Sequence, residues 1–405
     1  MGQDFADVGV KHTDAVFYGP ERYYIGKSAM VGSKKQVYQT QEIQPQAGLS
    51  SVFGSSVVPV EFRLYPNANG IDEVQGQYLQ LKIRNTSSEH KARILPAPFL
   101  LQKYEIVVGS SVIDTVTAAD IWYEGLLLDT KEQLDTRAIT ENFNASTLSE
   151  HNPIDEESNR TIILRLSNLL DRTDLLLSVL KQEITFKFYF QSNNNALYPL
   201  DEDHNDFATL SLLEASLVIS GVKFSAEIKA KLQAAYADAT TFYRYYRHRQ
   251  ISLSYNITNG SEITIPITEF TGKVPYFMFA VRKSQLHADQ YKGMNDIEYF
   301  GLRDINGQFI GLSQIKSQLD RLHIMPEAFP SLDTRANTHK FFVLPFADIP
   351  SMDVQDGTAS GSIAFSPNMS LVIAGTESGS RDVMLSAPMM SNIVVSSGII
   401  SAIDA

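Results

Sequence analysis

The sequence predicts a mainly β protein built as two tandem eight-stranded sandwiches, with short inserted helices and a connecting helix. Three observations lead there. The 22 Phe and 18 Tyr stand against one Trp, with 23 Gly and 16 Pro; these are the residues of many strands and turns rather than of a helical bundle. Apolar and polar residues alternate in short runs, as in Ser362-Ile363-Ala364-Phe365-Ser366 and Ser370-Leu371-Val372-Ile373, which marks half-buried strands. The runs of the second half repeat the order of the first. With 405 residues and 43% hydrophobic content, the chain can bury two ordinary cores.

Residues 1–54 are polar, with Lys34, Lys35 and a Gln-rich run from Gln36 to Gln46, and are expected to form an N-terminal arm. The first sandwich is assigned to 55–224, with regular structure beginning near Val57. VVPVEFRLY (57–65), QYLQLKIRN (77–85) and YEIVVGSSVIDTV (104–116) supply three or four strands, with a tight turn at Gly109-Ser110. Thr117 then offers an N-cap, and Asp120 can reach back to free backbone N–H groups, ahead of Ile121, Trp122 and Leu126 to Leu128. A short helix follows. RTIILRLSN (160–168), EITFKFYFQ (183–191) and ATLSLLEASLVISGVKF (208–224) add the closing strands. Residues 225–247 are assigned to the connecting helix: Ser225 caps it, Glu227 meets the positive end of its dipole, and Ile228, Leu232, Tyr236 and Ala239 form one stripe.

The second sandwich, 248–398, follows the same plan. SEITIPITEF (261–270) and KVPYFMFAVRK (273–283) are strands, and IEYFGLRDINGQFIG (297–311) is a hairpin around Asn306-Gly307. Ser313 is expected to cap a helix, SQIKSQLDRLH, with Leu312, Ile315, Leu319 and Leu322 on one face. KFFVLPF (340–346), SGSIAFSPNMSLVIAG (360–375) and DVMLSAPMMSNIVVSSG (382–398) stand where the closing strands of the first half stand, and 399–405 is left as a C-terminal tail. Each half thus supplies about eight strands and one inserted helix, the strand number of a jelly roll.

Composition and motifs exclude most chemistry. A net charge of -12 leaves no surface dedicated to phosphate, so no specific nucleic-acid binding is expected. Without cysteine there is no disulfide, thiolate metal site or Cys nucleophile. MGQDFADVGVKHTDAVFYG lacks a signal-peptide core, and the longest apolar candidate, Leu175 to Leu180 with Ser178 inside it, ends at Lys181. That is far short of the roughly 20 residues of a membrane span, and synthesis in the cytoplasm is expected. On that expectation the sequons at Asn144 and Asn256 stay unmodified.

Ile25-Gly26-Lys27-Ser28 resembles the end of a phosphate loop, but Glu21 occupies the required first Gly. The eight His are scattered without metal-binding spacing, and Ser360 and Ser378 lack the spacing of a nucleophile elbow. Asp201, Asp203 and Asn205 copy the first three EF-hand ligand positions, but Asp206 replaces the Gly and Leu212 the bidentate Glu. Asp201–Asp206 therefore reads as a solvated acidic loop, and Asp155, Glu156 and Glu157 as a polar connection. No catalytic residue, metal ligand or cofactor is expected, and the chain is not expected to be an enzyme. One segment stands out, Tyr243-Arg244-Tyr245-Tyr246-Arg247-His248-Arg249. Its interleaved Arg and Tyr suit a domain or subunit contact first, then lipid headgroups or nucleic acid, then plain exposure.

The segment from Lys340 to Ile400 adds a family likeness. A Phe-rich strand ends at Pro (Phe341 to Pro345), and an acidic, polar turn follows (Asp353 to Gly357). Then come a Ser-Gly-Ser strand with a Phe-Ser pair (Ser360 to Ser366), an aliphatic strand (Leu371 to Ile373) and a last strand with an Asn and a late Gly (Asn392 to Gly398). This order resembles the closing strands of double jelly-roll major capsid proteins of tailless icosahedral DNA viruses, the lineage shared by membrane-containing tailless phages and adenoviruses. With the tandem plan, the likeness runs from about Val57 to Gly398.

The resemblance implies a virion structural protein. Its homotrimers would form pseudo-hexagonal capsomers that tile an icosahedral shell, contacting neighbouring capsomers, other capsid proteins and, in many members, an internal viral membrane. It also implies that the loops Ser192 to Asp206 and Thr136 to Asn159 form outward towers or trimer contacts. The arm before Gly54 and the tail after Gly398 would face inward or clasp neighbours. Pro367-Asn368-Met369 replaces the Arg-Ile-Asp of eukaryotic-virus members, which favours a prokaryotic virus, a bacteriophage among them. The competing expectations are a receptor-binding or vertex spike protein, or a carbohydrate-binding jelly roll; these usually carry a single sandwich with a stalk or an aromatic sugar platform, and one Trp is available here.

Overall fold

The computed structural model describes residues 36–46, 49, 52–54, 58–66, 70–144, 152–173, 175–200, 207–283, 297–310, 315–316, 341–346 and 363–403. In the first half, strands β1 (Gln36–Ile43), β2 (Val60–Leu64), β3 (Glu73–Asn85), β4 (Leu101–Val108), β5 (Ser111–Thr117), β6 (Asn159–Leu166), β7 (Ile184–Phe190) and β8 (Leu210–Phe224) form two antiparallel sheets. Their orders are β1-β8-β3-β6 and β2-β7-β4-β5. Only β4 and β5, joined through Gly109 at φ 62°, are consecutive in chain and sheet; every other connection crosses between sheets. Period-2 patterning dictates the packing. On β7, Ile184, Phe186, Phe188 and Phe190 are buried with half-buried residues between them, and Leu79, Leu81 and Ile83 of β3 face them across one core.

The second half repeats the order. Its strands are β9 (Thr240–Ile257), β10 (Glu262–Pro266), β11 (Gly272–Val274), β12 (Tyr276–Lys283), β13 (Ile297–Arg303), β14 (Ile315–Lys316), β15 (Phe341–Pro345), β16 (Ile363–Phe365), β17 (Ser370–Gly375), β18 (Gly379–Ser396) and β19 (Ile399–Ile403). One sheet runs β9-β18-β12-β15 and the other β10-β17-β13-β14, with β11 and β16 as a paired extension. Apart from β11, β16 and β19, this is the first half's pattern strand for strand. Gly307, at φ 75°, turns the hairpin after β13, where Arg303 bridges Phe309.

The near-continuous apolar runs of β12 and β15 have a physical reason: their sheet is covered on both faces, as such runs require. Phe277, Phe279, Val281, Phe342 and Leu344 point into the second core. Tyr276, Met278, Ala280, Phe341 and Val343 point the other way, into a separate apolar cluster against the first half.

Several sequence expectations need correction. Residues 36–43 are not part of a loose arm: Val37, Tyr38, Thr40 and Ile43 are strand formers, and β1 pairs with β8 from Gln36↔Phe224 to Ile43↔Leu217. The connecting helix is shorter than 225–247. Helix α3 (Ala226–Tyr236) starts at the expected Ser225 cap but stops at Tyr236, and β9 takes over at Thr240, so Tyr243 to Arg249 lie on a strand. β-branched and aromatic residues from Thr240 onward outweigh the helical stripe.

The helix expected from Ser313 is contradicted where it can be checked, because Ile315 and Lys316 pair with Phe300 and Tyr299. The Thr136 to Asn159 loop begins as helix α2 (Lys131–Thr140), capped by Thr130 and Gln133. Ser192 onward is partly packed, with Ala196 and Leu197 fully buried. The tail forms β19, a hairpin on β18, and Gly398 C=O accepts from Lys181 N–H of the first half. Ile25–Ser28, Lys34, Lys35, Asp201–Asp206, Asp353–Gly357 and Ser360 lie outside the described residues.

One glycine is fixed by close approach. Opposite Val74, a Cβ on Gly221 of β8 would lie 2.0 Å from the Glu73 carbonyl oxygen and 2.8 Å from Ile71 Cγ2. Backbone cannot step aside as a side-chain tip can. Gly221→Ala is expected to cost about 2–3 kcal/mol through overpacking, measured as a lower urea midpoint of the purified chain.

Candidate functional site

The feature that the sequence leaves unexplained is the seam between the sandwiches. Helix α1 (Ala118–Leu128) leaves β5 with the expected cap: Thr117 Oγ1 accepts from Asp120 N–H, and the Asp120 carboxylate accepts from Thr117 N–H at 3.0 Å. This fixes the direction in which α1 crosses to the second half. Trp122, fully buried, meets Phe99 at 5.8 Å and Phe143 at 5.0 Å between ring centroids. Tyr123 meets Phe341 at 5.3 Å. Leu126, Leu127, Leu134 and Ala138 complete the apolar layer against Met278, Ala280, Val343 and Met384.

An ionic chain runs beside this layer. Arg172, on the single helical turn Leu169–Arg172, donates to both oxygens of Glu124 at 2.7 and 2.5 Å, and to Tyr246 C=O at 3.0 Å. His248 Nε2 lies 3.2 Å from Glu124 Oε2, and its Nδ1 lies 3.4 Å from Ser386 Oγ. Ser386 Oγ in turn donates to Asp120 Oδ1 at 3.2 Å. Burial pushes the Glu124 carboxyl up, but Arg172 and His248 outweigh it and hold it at about 2.

A second cluster locks α2 to α1 and β6. Arg137 donates to Glu141 at 3.0 and 2.8 Å and to Asp129 at 2.7 Å, all buried. The Arg165 backbone N–H donates to Glu141 Oε1 at 3.3 Å, so this carboxylate also takes a donor of strand β6. The Arg137 guanidinium occupies the space of a missing side chain at Gly125, where a Cβ would lie 1.3 Å from Nη1. The adjoining cleft, about 240 Å³, is lined by Glu124, Gln133, Arg165 and Ser167 among others. Its charged groups are held in ion pairs, Asp129 with Arg137 and Arg165 and Glu124 with Arg172, an arrangement that cross-links elements.

The basic and aromatic segment joins this seam, as a domain contact. Tyr243 and Tyr245 enter the first core, with Tyr245 Oη donating to Ile113 C=O at 3.3 Å. Tyr246 enters the seam, Arg247 reaches Asp114 at 3.6 Å, and Arg249 pairs with exposed Glu269 at 2.6 Å. Sequence reasoning found this segment but missed its partners, along with Arg137, Glu141, Arg172 and Ser386. Among the described residues, no group of three or more His, Asp or Glu could hold a metal ion, and no helix is long and apolar enough to cross a membrane.

Eight strands in the order 1-8-3-6 over 2-7-4-5, built twice and fused through a helix, define a tandem jelly-roll protein. No family profile and no curated protein matches the sequence. Solved structures do match. The PBCV-1 virus capsid aligns with a TM-score of 0.69 at 11% identity, over 91% of this chain and 97% of that one. The Faustovirus major capsid protein gives 0.64 at 8% identity, over 88% and 90%. A chain of the Sputnik virophage gives 0.59 at 12% identity, over 90% and 88%. The protein therefore has the double jelly-roll fold that these viral capsid proteins share.

Proposed function

We propose that this chain is a viral major capsid protein, three copies of which form one pseudo-hexagonal capsomer of an icosahedral shell. The observation that carries the reading is the duplicated strand order with a packed seam. Two alike lobes held rigidly in one chain give six alike lobes when three chains meet, which is the shape of a hexagonal tile. The PBCV-1 and Faustovirus structures are capsid proteins by name, and the likeness to them spans nearly the whole chain.

A second support is an uneven covering of equivalent faces. The outer face of β18, β12 and β15 is buried by α1. The matching face of the first sandwich carries Tyr38, Tyr78 and Leu213, exposed at 63%, 38% and 40%. Such apolar exposure suits another copy of the chain. The two jelly rolls, drawn from sequence at 55–224 and 248–398 and extended by β1, by the start of β9 at Thr240 and by β19, are the repeating units of the tile. Its partners are neighbouring capsomers, other capsid proteins and an internal viral membrane, and its place is the virion. A prokaryotic host remains part of the proposal, supported by Pro367-Asn368-Met369.

Light scattering on the purified protein tests the reading. The expected mass is that of three 45.1 kDa chains, and Tyr78→Arg combined with Leu213→Glu is expected to shift it toward one chain. A wild-type monomer that captures glycans on an array would instead fit the spike or carbohydrate-binding reading.

A further inference from the structure

His248 of β9 sits inside the seam with its side chain 2% exposed. Its Nε2 lies 3.2 Å from Glu124 Oε2, and its Nδ1 lies 3.4 Å from Ser386 Oγ and 3.7 Å from Asp120 Oδ1. Glu124 and Asp120 belong to α1 of the first half, whereas His248 and Ser386 belong to β9 and β18 of the second. We propose that His248 is a proton-held clasp between the sandwiches: doubly protonated, it ties α1 to β9 and β18, and loss of one proton opens one of the two ties.

The protons along this chain can be counted. Ser386 has one hydroxyl proton, and Asp120 Oδ1 accepts it at 3.2 Å. Ser386 can therefore meet Nδ1 only as an acceptor, so Nδ1 carries a proton. Nε2 faces a carboxylate oxygen, which offers lone pairs alone, so it carries one as well. Glu124 remains an acceptor: burial pushes its carboxyl up, but Arg172 and His248 hold it at about 2. Each neutral form of the ring breaks one contact. With the proton on Nδ1 alone, the Nε2 lone pair is set against Glu124. With it on Nε2 alone, Ser386 turns its hydroxyl to Nδ1, and buried Asp120 loses the donor that reaches it from β18. Around the ring, α1 contributes Glu124 and Asp120, β12 contributes Tyr276 at 6.4 Å between ring centroids, and Arg172 is engaged at both oxygens of Glu124. On β9 itself, Arg247 and Arg249 pair with Asp114 and Glu269.

The sign follows from linkage. A tie made by a bound proton contributes stability that is full below the ordinary imidazole value of about 6.5 and is lost as pH rises past it. The clasp is thus closed at about pH 5.5 and open at about pH 8. Burial also pushes the Asp171 carboxyl up to about 6, so a variant at His248 is needed to assign the effect to the ring.

Hydrogen exchange on the full chain at about pH 5.5 and about pH 8, corrected for intrinsic rates, tests the clasp. Protection of Ala118–Leu128 is expected to be about tenfold higher at the lower pH, the size of one hydrogen bond to a charged group. His248→Gln puts a neutral amide in place of the ring and cannot gain a proton, so its protection of α1 is expected to be equal at both pH values. Equal protection in the wild type, or a difference that survives in H248Q, overturns the proposal. Should H248Q fail to fold, NMR of the wild-type His248 ring at about pH 5.5 decides: two slowly exchanging N–H protons uphold it, and a ring with one or none overturns it.

Discussion

Arg137→Met is expected to destabilise the folded chain by about 3–5 kcal/mol, the usual cost of breaking a buried ion pair by removing one partner. The guanidinium is 7% exposed and answers two carboxylates, Glu141 at 0% and Asp129 at 11% exposure. Methionine fills much of the volume but leaves Glu141 without a cation in a low-dielectric site, and Asp129 with Arg165 alone at 3.3 Å. Glu141 would also lose the cation that opposes the upward push of burial on its carboxyl. Urea unfolding of the purified variant measures the loss. Adding Glu141→Gln to Arg137→Met is expected to recover part of it, because a neutral amide costs less to bury than an unpaired charge. A single variant as stable as wild type would show that the cluster does not hold α2 in place.

Trp122→Ala is expected to cost a similar 3–5 kcal/mol, the range for deleting a large buried aromatic. Trp122 joins Phe99 and Phe143 of the first half inside the apolar layer that also receives Met278 and Phe341 of the second. Its loss therefore empties the seam itself. Beyond a lower midpoint, unfolding is expected to separate into two steps, one for each sandwich, because the layer that couples them is gone. A variant that unfolds in one step at the wild-type midpoint would contradict this account of the seam.

The residues that act locally were legible in the sequence. Gly109-Ser110, the Thr117 and Asp120 cap, the Ser225 cap and the strand-forming runs of β7 and β12 each need only neighbours within a few positions, and the structure has them. The eight-strand plan of each half followed. β9 was misread because Ile228, Leu232 and Tyr236 start a true helical stripe, and neither Gly nor Pro marks its end at Tyr236. The signal available was the composition of Thr240 to Ile257, rich in Thr, Tyr, Phe and Ile. β1 was hidden by its glutamines, which read as a polar arm and not as the edge strand that they form part of.

The seam was not legible, since its partners are remote in the chain. Arg172 and Glu124 are 48 residues apart, and Ser386 and Asp120 are 266 apart. No local spacing encodes such pairs. What the sequence did carry was a consequence of the seam: β12 and β15 are apolar at almost every position, which only a sheet covered on both faces requires.

On the proposed reading, the two fused jelly rolls of each chain build a tile of three chains. Electron microscopy of the purified protein tests it most directly. Compact particles with six lobes around a threefold axis are expected, two lobes to each 45.1 kDa chain. Particles of two lobes, or a ring with some other number of chains, would contradict it.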